Sequence, residues 1–417
     1  MGLAAHDTMS THLAHARTDS VCVAAERIAS IDVFRGITMA VMIFVNALDE
    51  VGGLPWWTHH AKADWDVMTY VDMVFPFFLF AIGLSLPLAV ERRYKRRPSS
   101  AALWAHVLVR SVSLVVLGLM LANVAQADQG RMGISGELWA LLGILCAALF
   151  LLDYAALKRL QPYARRLQAI GIGGLVILFG IFRRSVDGRS AWIDFSYPEI
   201  LGLIGFTYFS AALLYIPTRR WKWAPAIWFI LLIALCVLST DRVAVVRLDL
   251  PLYIWPFGNG AMCSITMAGV VASTFLYDAV TGTHERKGVR KAVAFSLILL
   301  LAGWALTSLG VSKIRATPTW SLWSSGAAVL VFALLYGICD VKQWRRWAAP
   351  VHAAGANTLA TYLLPDTWIF LMFALGGSLY AEIFPYGWPG AIKSFVFTCV
   401  ILWLASLLTR ARIRLQL

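Results

Sequence analysis

The stretch Thr69-Tyr-Val-Asp72-Met-Val-Phe-Pro76-Phe-Phe-Leu-Phe-Ala-Ile-Gly-Leu-Ser-Leu-Pro87-Leu-Ala-Val90 decides what kind of molecule this is. Asp72 is its sole charge in 22 residues. A helix rises about 1.5 Å per residue, so the run is long enough to cross the roughly 30 Å hydrocarbon core of a bilayer. On one side it runs into Arg92-Arg93-Tyr-Lys95-Arg96-Arg97, and on the other into the polar loop Leu54 to Met68. Beyond that loop lies another apolar run, opened by Ser30-Ile-Asp32-Val-Phe-Arg35-Gly36 and ending in Val45-Asn46.

The same pattern repeats along the chain. Hydrophobic residues make up 59% of the 417 and charged residues 14%, and the mean hydropathy is +0.70. That composition excludes a soluble globule. Apolar windows fall at 31–48, 69–90, 102–124, 135–153, 167–182, 198–216, 223–239, 260–280, 292–310, 321–339, 353–375 and 390–409, the fifth short and the eleventh interrupted by Pro365. The expected fold is all-α: a polytopic transmembrane helix bundle of about 10–12 spans.

Charge then orients the bundle, because cytoplasmic loops retain Lys and Arg. Alternate loops are basic: Arg92 to Arg97, Lys158-Arg159 with Arg165-Arg166, Arg219-Arg220 with Lys222, Arg286-Lys287 with Arg290-Lys291, Lys342 with Arg345-Arg346, and Arg410, Arg412 and Arg414. All six share a face in a twelve-span arrangement, so both termini are expected in the cytoplasm. Arg183, Arg184, Arg189, Arg242, Arg247, Lys313 and Arg315 stand on the opposite side, as interfacial anchors or as ligand contacts. The formal charge of +13 is accounted for by cytoplasmic loops beside an anionic leaflet and calls for no nucleic acid. Cys22, Cys146, Cys236, Cys263, Cys339 and Cys399 show no C-x-x-C pairing and read as small apolar filler, with no metal site. Residues 1–29, with His6, His12 and His15, are polar and read as a flexible cytoplasmic tail without a cleavable signal peptide; 30–417 form one membrane domain.

Chemistry concentrates in the loop Leu54-Pro-Trp-Trp-Thr-His59-His60-Ala-Lys-Ala-Asp-Trp65-Asp-Val-Met68. An imidazole takes and returns a proton near neutral pH, so a His pair at a membrane mouth is a candidate reaction centre. Asn46, Asp72, Glu199 and Lys313 are expected at the same outer level. For Asp72, function and structural pairing are both open. On the inner half Asp32 and Arg35 are three apart and His106 and Arg110 four apart, spacings that suit helix-surface pairing or contact with a ligand. Gly355-Ala-Asn357-Thr-Leu-Ala-Thr-Tyr362 carries small and amide residues that close helix packing alone would explain. Trp56, Trp57, Trp65, Trp192 and Trp255 suit either stacking on sugar rings or interfacial belting.

These elements, in this order, resemble the transmembrane acetyltransferase family typified by heparan-α-glucosaminide N-acetyltransferase and its bacterial relatives. That pattern runs S-x-D-x-F-R-G, V-N, H-A-x-W, D-x-V-F-P. Here it is met by Ser30, Asp32 and Phe34-Arg35-Gly36, by Val45-Asn46, by His60-Ala61 and Trp65, and by Asp72 to Pro76. It continues in Pro198-Glu199 to Gly205, in Ser312-Lys313 with Thr317-Pro-Thr-Trp320, and in Gly355 to Tyr362. One departure stands out. The family's histidine lies ten residues before the acid, where this chain has Lys62; a two-residue insertion before Trp65 restores the match and selects His60, with His59 as the alternative.

The resemblance implies an acetyl-CoA-dependent acyltransferase without a metal, set in a bacterial inner membrane with its active-site mouth toward the periplasm. An acetyl group would pass from cytoplasmic acetyl-CoA to a saccharide or glycoconjugate. His60, Asp72 and Asn46 would carry the catalysis, Arg35, Arg110 and Asn357 would hold the donor, and His59, Trp65, Glu199 and Lys313 would meet the acceptor. Membrane lipids are further partners, and a homodimer is compatible. Imidazole can serve as base or as transient acetyl carrier. The alternative from another class is a secondary transporter of a small polar or sugar-like solute, since intramembrane polar residues and Pro/Gly-broken helices suit one. No internal repeat supports it.

Overall fold

In the computed structural model, residues 28–246, 258–276, 286–375, 377 and 382–416 are described. The tail before residue 28, Arg247, Trp255, Cys22 and the side chains of Arg286 and Lys287 lie outside the described residues.

Each apolar window of the sequence contains a helix. They are α1 (Ala29–Asp49), α2 (Val71–Arg96), α3 (Ser100–Asn123), α4 (Gly136–Leu151), α5 (Ala164–Ile181), α6 (Glu199–Thr218), α7 (Ala224–Ser239), α8 (Ala261–Leu276), α9 (Arg286–Ala305), α10 (Pro318–Tyr336), the short α11 (Ala349–Ala356), α12 (Thr358–Ala374) and α13 (Gly387–Arg410). Eight of them, α1, α2, α3, α5, α6, α9, α10 and α13, are long and apolar enough to cross a membrane; α4, α7, α8 and α12 are shorter apolar helices. The protein is an all-α membrane bundle.

Burial sorts the helices into a centre and a rim. In α2, 72% of the apolar window is inside the bundle, against 11% in α5. Small residues let the central backbones approach. A Cβ on Gly83 of α2 would fall 1.9 Å from the Thr266 carbonyl of α8, and one on Gly355 of α11 would fall 1.7 Å from the Asp32 carbonyl of α1. Close approach of this kind replaces the hydrophobic drive that lipid removes. It also explains the small residues at the start of the Gly355 to Tyr362 stretch by packing.

Two features depart from the expectation. The window 353–375 breaks at Asn357 (φ −131°, ψ 52°), while Pro365 sits inside α12. The break has a cause: the Asn357 amide donates to the Ile413 carbonyl (2.9 Å) and accepts from the Leu415 N–H (3.2 Å), so it holds the C-terminal segment. The second is a hairpin, β1 (Arg184–Val186) and β2 (Arg189–Ala191), in the loop between α5 and α6. Arg184 bonds Asp194 at 3.0 Å, and Arg183 donates to the carbonyls at the end of α5, Gly180 at 2.8 Å and Phe182 at 2.6 Å. These two arginines are therefore tied to protein partners, Arg183 as a helix C-terminal cation.

Candidate active site

After α1 the chain turns back through the histidine loop to α2. Thr58 closes its first turn by donating to the Pro55 carbonyl (2.7 Å), and Thr69 closes its end by donating to the His59 carbonyl (2.9 Å). Between them Asp66 reaches across the bundle. It pairs with Arg315 and with Arg242, the latter at 2.7 Å, and accepts weakly from the Val311 N–H at 3.4 Å. Arg315 holds the Asp66 carboxyl below the usual carboxylate range. The loop before α10 is thus pinned to the histidine loop, which carries Lys313 to the histidine.

A short contact joins the loop's His60 to Asp72. His60 Nδ1 lies 2.7 Å from Asp72 Oδ1. The other carboxylate oxygen accepts from the Thr69 N–H (3.0 Å), the Thr69 hydroxyl (3.3 Å) and the Ala61 N–H (3.3 Å). Its carbonyl accepts from the buried Trp320 indole at 3.0 Å. Asp72 is 1% exposed, and a carboxylate so surrounded by donors is fixed in place. A carboxylate on Nδ1 assigns that nitrogen the proton and leaves the lone pair on Nε2. Lys313 Nζ stands 3.3 Å from Nε2 and 3.4 Å from Nδ1. Burial lowers the Lys313 pKa, while Asp72, Asp49 and Glu199 pull it upward.

His59 is committed elsewhere. Its Nδ1 lies 2.8 Å from the Thr58 hydroxyl, so the geometry sets His60 on the carboxylate. Trp65 is on the exposed side, stacked edge-on against Trp56 at 5.9 Å with Lys62 over its ring at 5.6 Å.

Asn46 and Glu199 line a neighbouring cavity of about 300 Å³ with Tyr362 and Asp366. Glu199 opens α6 in a left-handed conformation (φ 56°) and accepts from the Tyr362 hydroxyl at 2.8 Å. The sequence reading passed over Asp366, although a carboxylate inside an apolar window is itself a signal. Tyr362 carries no such signal, because close packing alone accounts for its stretch of small and amide residues.

The three residues assigned to the inner half each take a different partner. Arg35 donates to the Ser85 hydroxyl of α2 at 2.5 Å. Arg110 lies over the Tyr208 ring of α6 at 4.6 Å, and Asn357 is spent on the C-terminal segment. Asp32 has His352 at 3.9 Å. Among the described residues no three His, Cys, Asp or Glu side chains are grouped to hold a metal ion.

Residues 27–258, more than half of the chain, match the family described as a domain of unknown function, DUF5009. The chain belongs to the DUF5009 family. That match takes in His60, Asp72, Asn46 and Glu199 and ends before Lys313. Over 97 residues this DUF5009 chain is 36% identical to human heparan-alpha-glucosaminide N-acetyltransferase, and over 99 residues 33% identical to the mouse protein. These segments are 23% and 24% of this chain and 14% of each relative, so the chain spans about a seventh of the curated proteins it matches. The resemblance to transmembrane acetyltransferases is therefore met by sequence identity as well as by motif order.

Proposed function

We propose that this protein is a transmembrane acetyltransferase that moves an acetyl group from cytoplasmic acetyl-CoA to a saccharide or glycoconjugate on the outer face. The observation that carries the reading is the chain of contacts Asp72, His60, Lys313: a buried carboxylate, an imidazole, and an ammonium 3.3 Å from its free nitrogen.

With Nδ1–H held by Asp72, Nε2 is the basic atom. It takes the proton of the acceptor O–H or N–H as the acceptor attacks the thioester carbon, or it attacks that carbon itself and carries the acetyl transiently. In the first course the C–S bond breaks and the proton on Nε2 passes to the departing thiolate. In the second the C–S bond breaks as the C–Nε2 bond forms; attack by the acceptor then breaks C–Nε2 and frees the imidazole, and the acceptor's proton ends on the thiolate. Either course builds negative charge on the carbonyl oxygen, and Lys313 is placed to meet it. Arg35 suits the donor's phosphates. It bonds Ser85, thirteen residues along α2 from Asp72, which is about 20 Å of helix, a span for the extended pantetheine arm.

Helix ends support the orientation. The basic end of α2, Arg92 to Arg97, faces the cytoplasm in this reading, the histidine loop faces the periplasm, and the two termini are cytoplasmic. The test is incubation of purified protein with labelled acetyl-CoA and a panel of free hexoses and hexosamines. Label on a sugar supports the reading, and binding of solute without label transfer supports a transporter instead.

A further inference from the structure

Two groups in the membrane domain are left unused by this chemistry. The Asp366 carboxylate and the Asn46 side-chain amide form no hydrogen bond with another described residue, yet both line the 300 Å³ cavity where α1, α6 and α12 meet. Polar groups that transmembrane helices turn toward an open cavity are available to a ligand there.

We propose that this cavity seats the acceptor, a neutral or cationic, hydroxyl-rich ring of about one sugar residue. The inference rests on the acetyltransferase reading. Three features of the cavity select that ligand. Glu199 and Asp366, with Glu50 beside them, supply oxygen acceptors for hydroxyl or ammonium protons. Tyr362 and the Asn46 amide add donors and acceptors in other directions, which suits the several hydroxyls of a ring. Phe370 and Phe397 present apolar faces for its C–H surface.

The position fits as well. Lys313 lies between the two centres: its ammonium touches His60 and feels the charges of both Asp72 and Glu199. A ring held by Glu199 and Asp366 then has to present its reacting hydroxyl or amine toward Lys313 and the imidazole. The exposed tryptophans of the histidine loop are then a rim and not the seat.

The experiment measures acetyl transfer from labelled acetyl-CoA to the panel of hexoses and hexosamines, with KM determined for donor and acceptor separately. Asp366→Asn removes the carboxyl group at nearly constant volume, and Ala47→Phe fills the same cavity from α1. Each is expected to raise the acceptor KM by about tenfold or more and to leave the acetyl-CoA KM within about twofold. A merely structural role would move both constants together. Unchanged acceptor KM in both folded variants, or a parallel rise in the two constants, overturns the seat while the acetyltransferase reading stands. Failure of the unaltered protein to label any sugar overturns the parent reading and this inference with it.

Discussion

His60 Nδ1 lies 2.7 Å from the carboxylate of Asp72, twelve residues further along the chain. The pairing depends on a buried acid locked by three other donors, so the imidazole is oriented by the protein before any substrate arrives. His60→Ala is expected to abolish acetyl transfer with the fold retained, because the side chain is 39% exposed and contributes little packing. His59→Ala is expected to be milder. Initial rates and thermal unfolding of both variants check this, and loss of transfer in the His59 variant alone would reverse the assignment.

Asp72→Asn keeps the shape and an acceptor for Thr69 and Ala61 but offers His60 an N–H in place of an oxygen. The imidazole then holds the wrong tautomer, and kcat is expected to fall by about 10²- to 10⁴-fold with little change in melting temperature. A variant within twofold of the parent rate would make Asp72 a structural partner only.

Lys313→Met removes the ammonium and keeps the stem. If Lys313 meets the charge that develops on the thioester oxygen, kcat falls by about 10²-fold, the acetyl-CoA KM moves little, and Lys313→Arg recovers part of the rate. A rise in KM alone would make it a binding residue.

Asp66 offers a pH-dependent test. Its pKa is depressed by Arg315, then by Arg242, so the clasp it forms is present above the ordinary carboxylate pKa of about 3.9 and is lost as pH falls through its lower folded value. Protection of the histidine loop from protease is therefore expected to persist from neutral pH down past about 4 and to vanish only in stronger acid. Asp66→Asn should be unprotected throughout, and because the clasp is exposed, high salt should mimic the substitution. Loss of protection near pH 6 would point to a different group.

Asp340, in the turn that follows α10, accepts from the Ala29 and Ser30 N–H groups at 3.0 Å each and so caps α1 from 310 residues away. Asp340→Ala leaves both donors unpaired at a buried helix start and is expected to cost about 1 to 2 kcal/mol, read as a lowered melting temperature. Transfer kinetics per folded molecule should be unaltered.

That cap shows where sequence reading stops. Apolar windows predict helices because burial in lipid is a property of each segment alone, and every window contains one. The His60 and Asp72 pairing was legible because the two lie only twelve residues apart, across the junction of the histidine loop and α2. Asp340 on α1, Arg242 on Asp66 and Asn357 on the C-terminal segment join residues far apart in the chain, where spacing carries no information. The break at Asn357 was misplaced to Pro365 for the same reason: a proline is visible locally, whereas the contacts that stop the helix come from residues 413 and 415. Asp366, beside that proline, was overlooked although its charge in an apolar run was plain. Only the cavity around it shows what it faces.

The most direct test of the account uses sealed proteoliposomes with the histidine loop outward, loaded with labelled acetyl-CoA and bathed in an impermeant saccharide that the purified protein acetylates. The account predicts label on the external saccharide, in proportion to the acetyl-CoA inside, and none with His60→Ala. Labelling only when both substrates share one compartment, or undiminished labelling by the His60 variant, would contradict it.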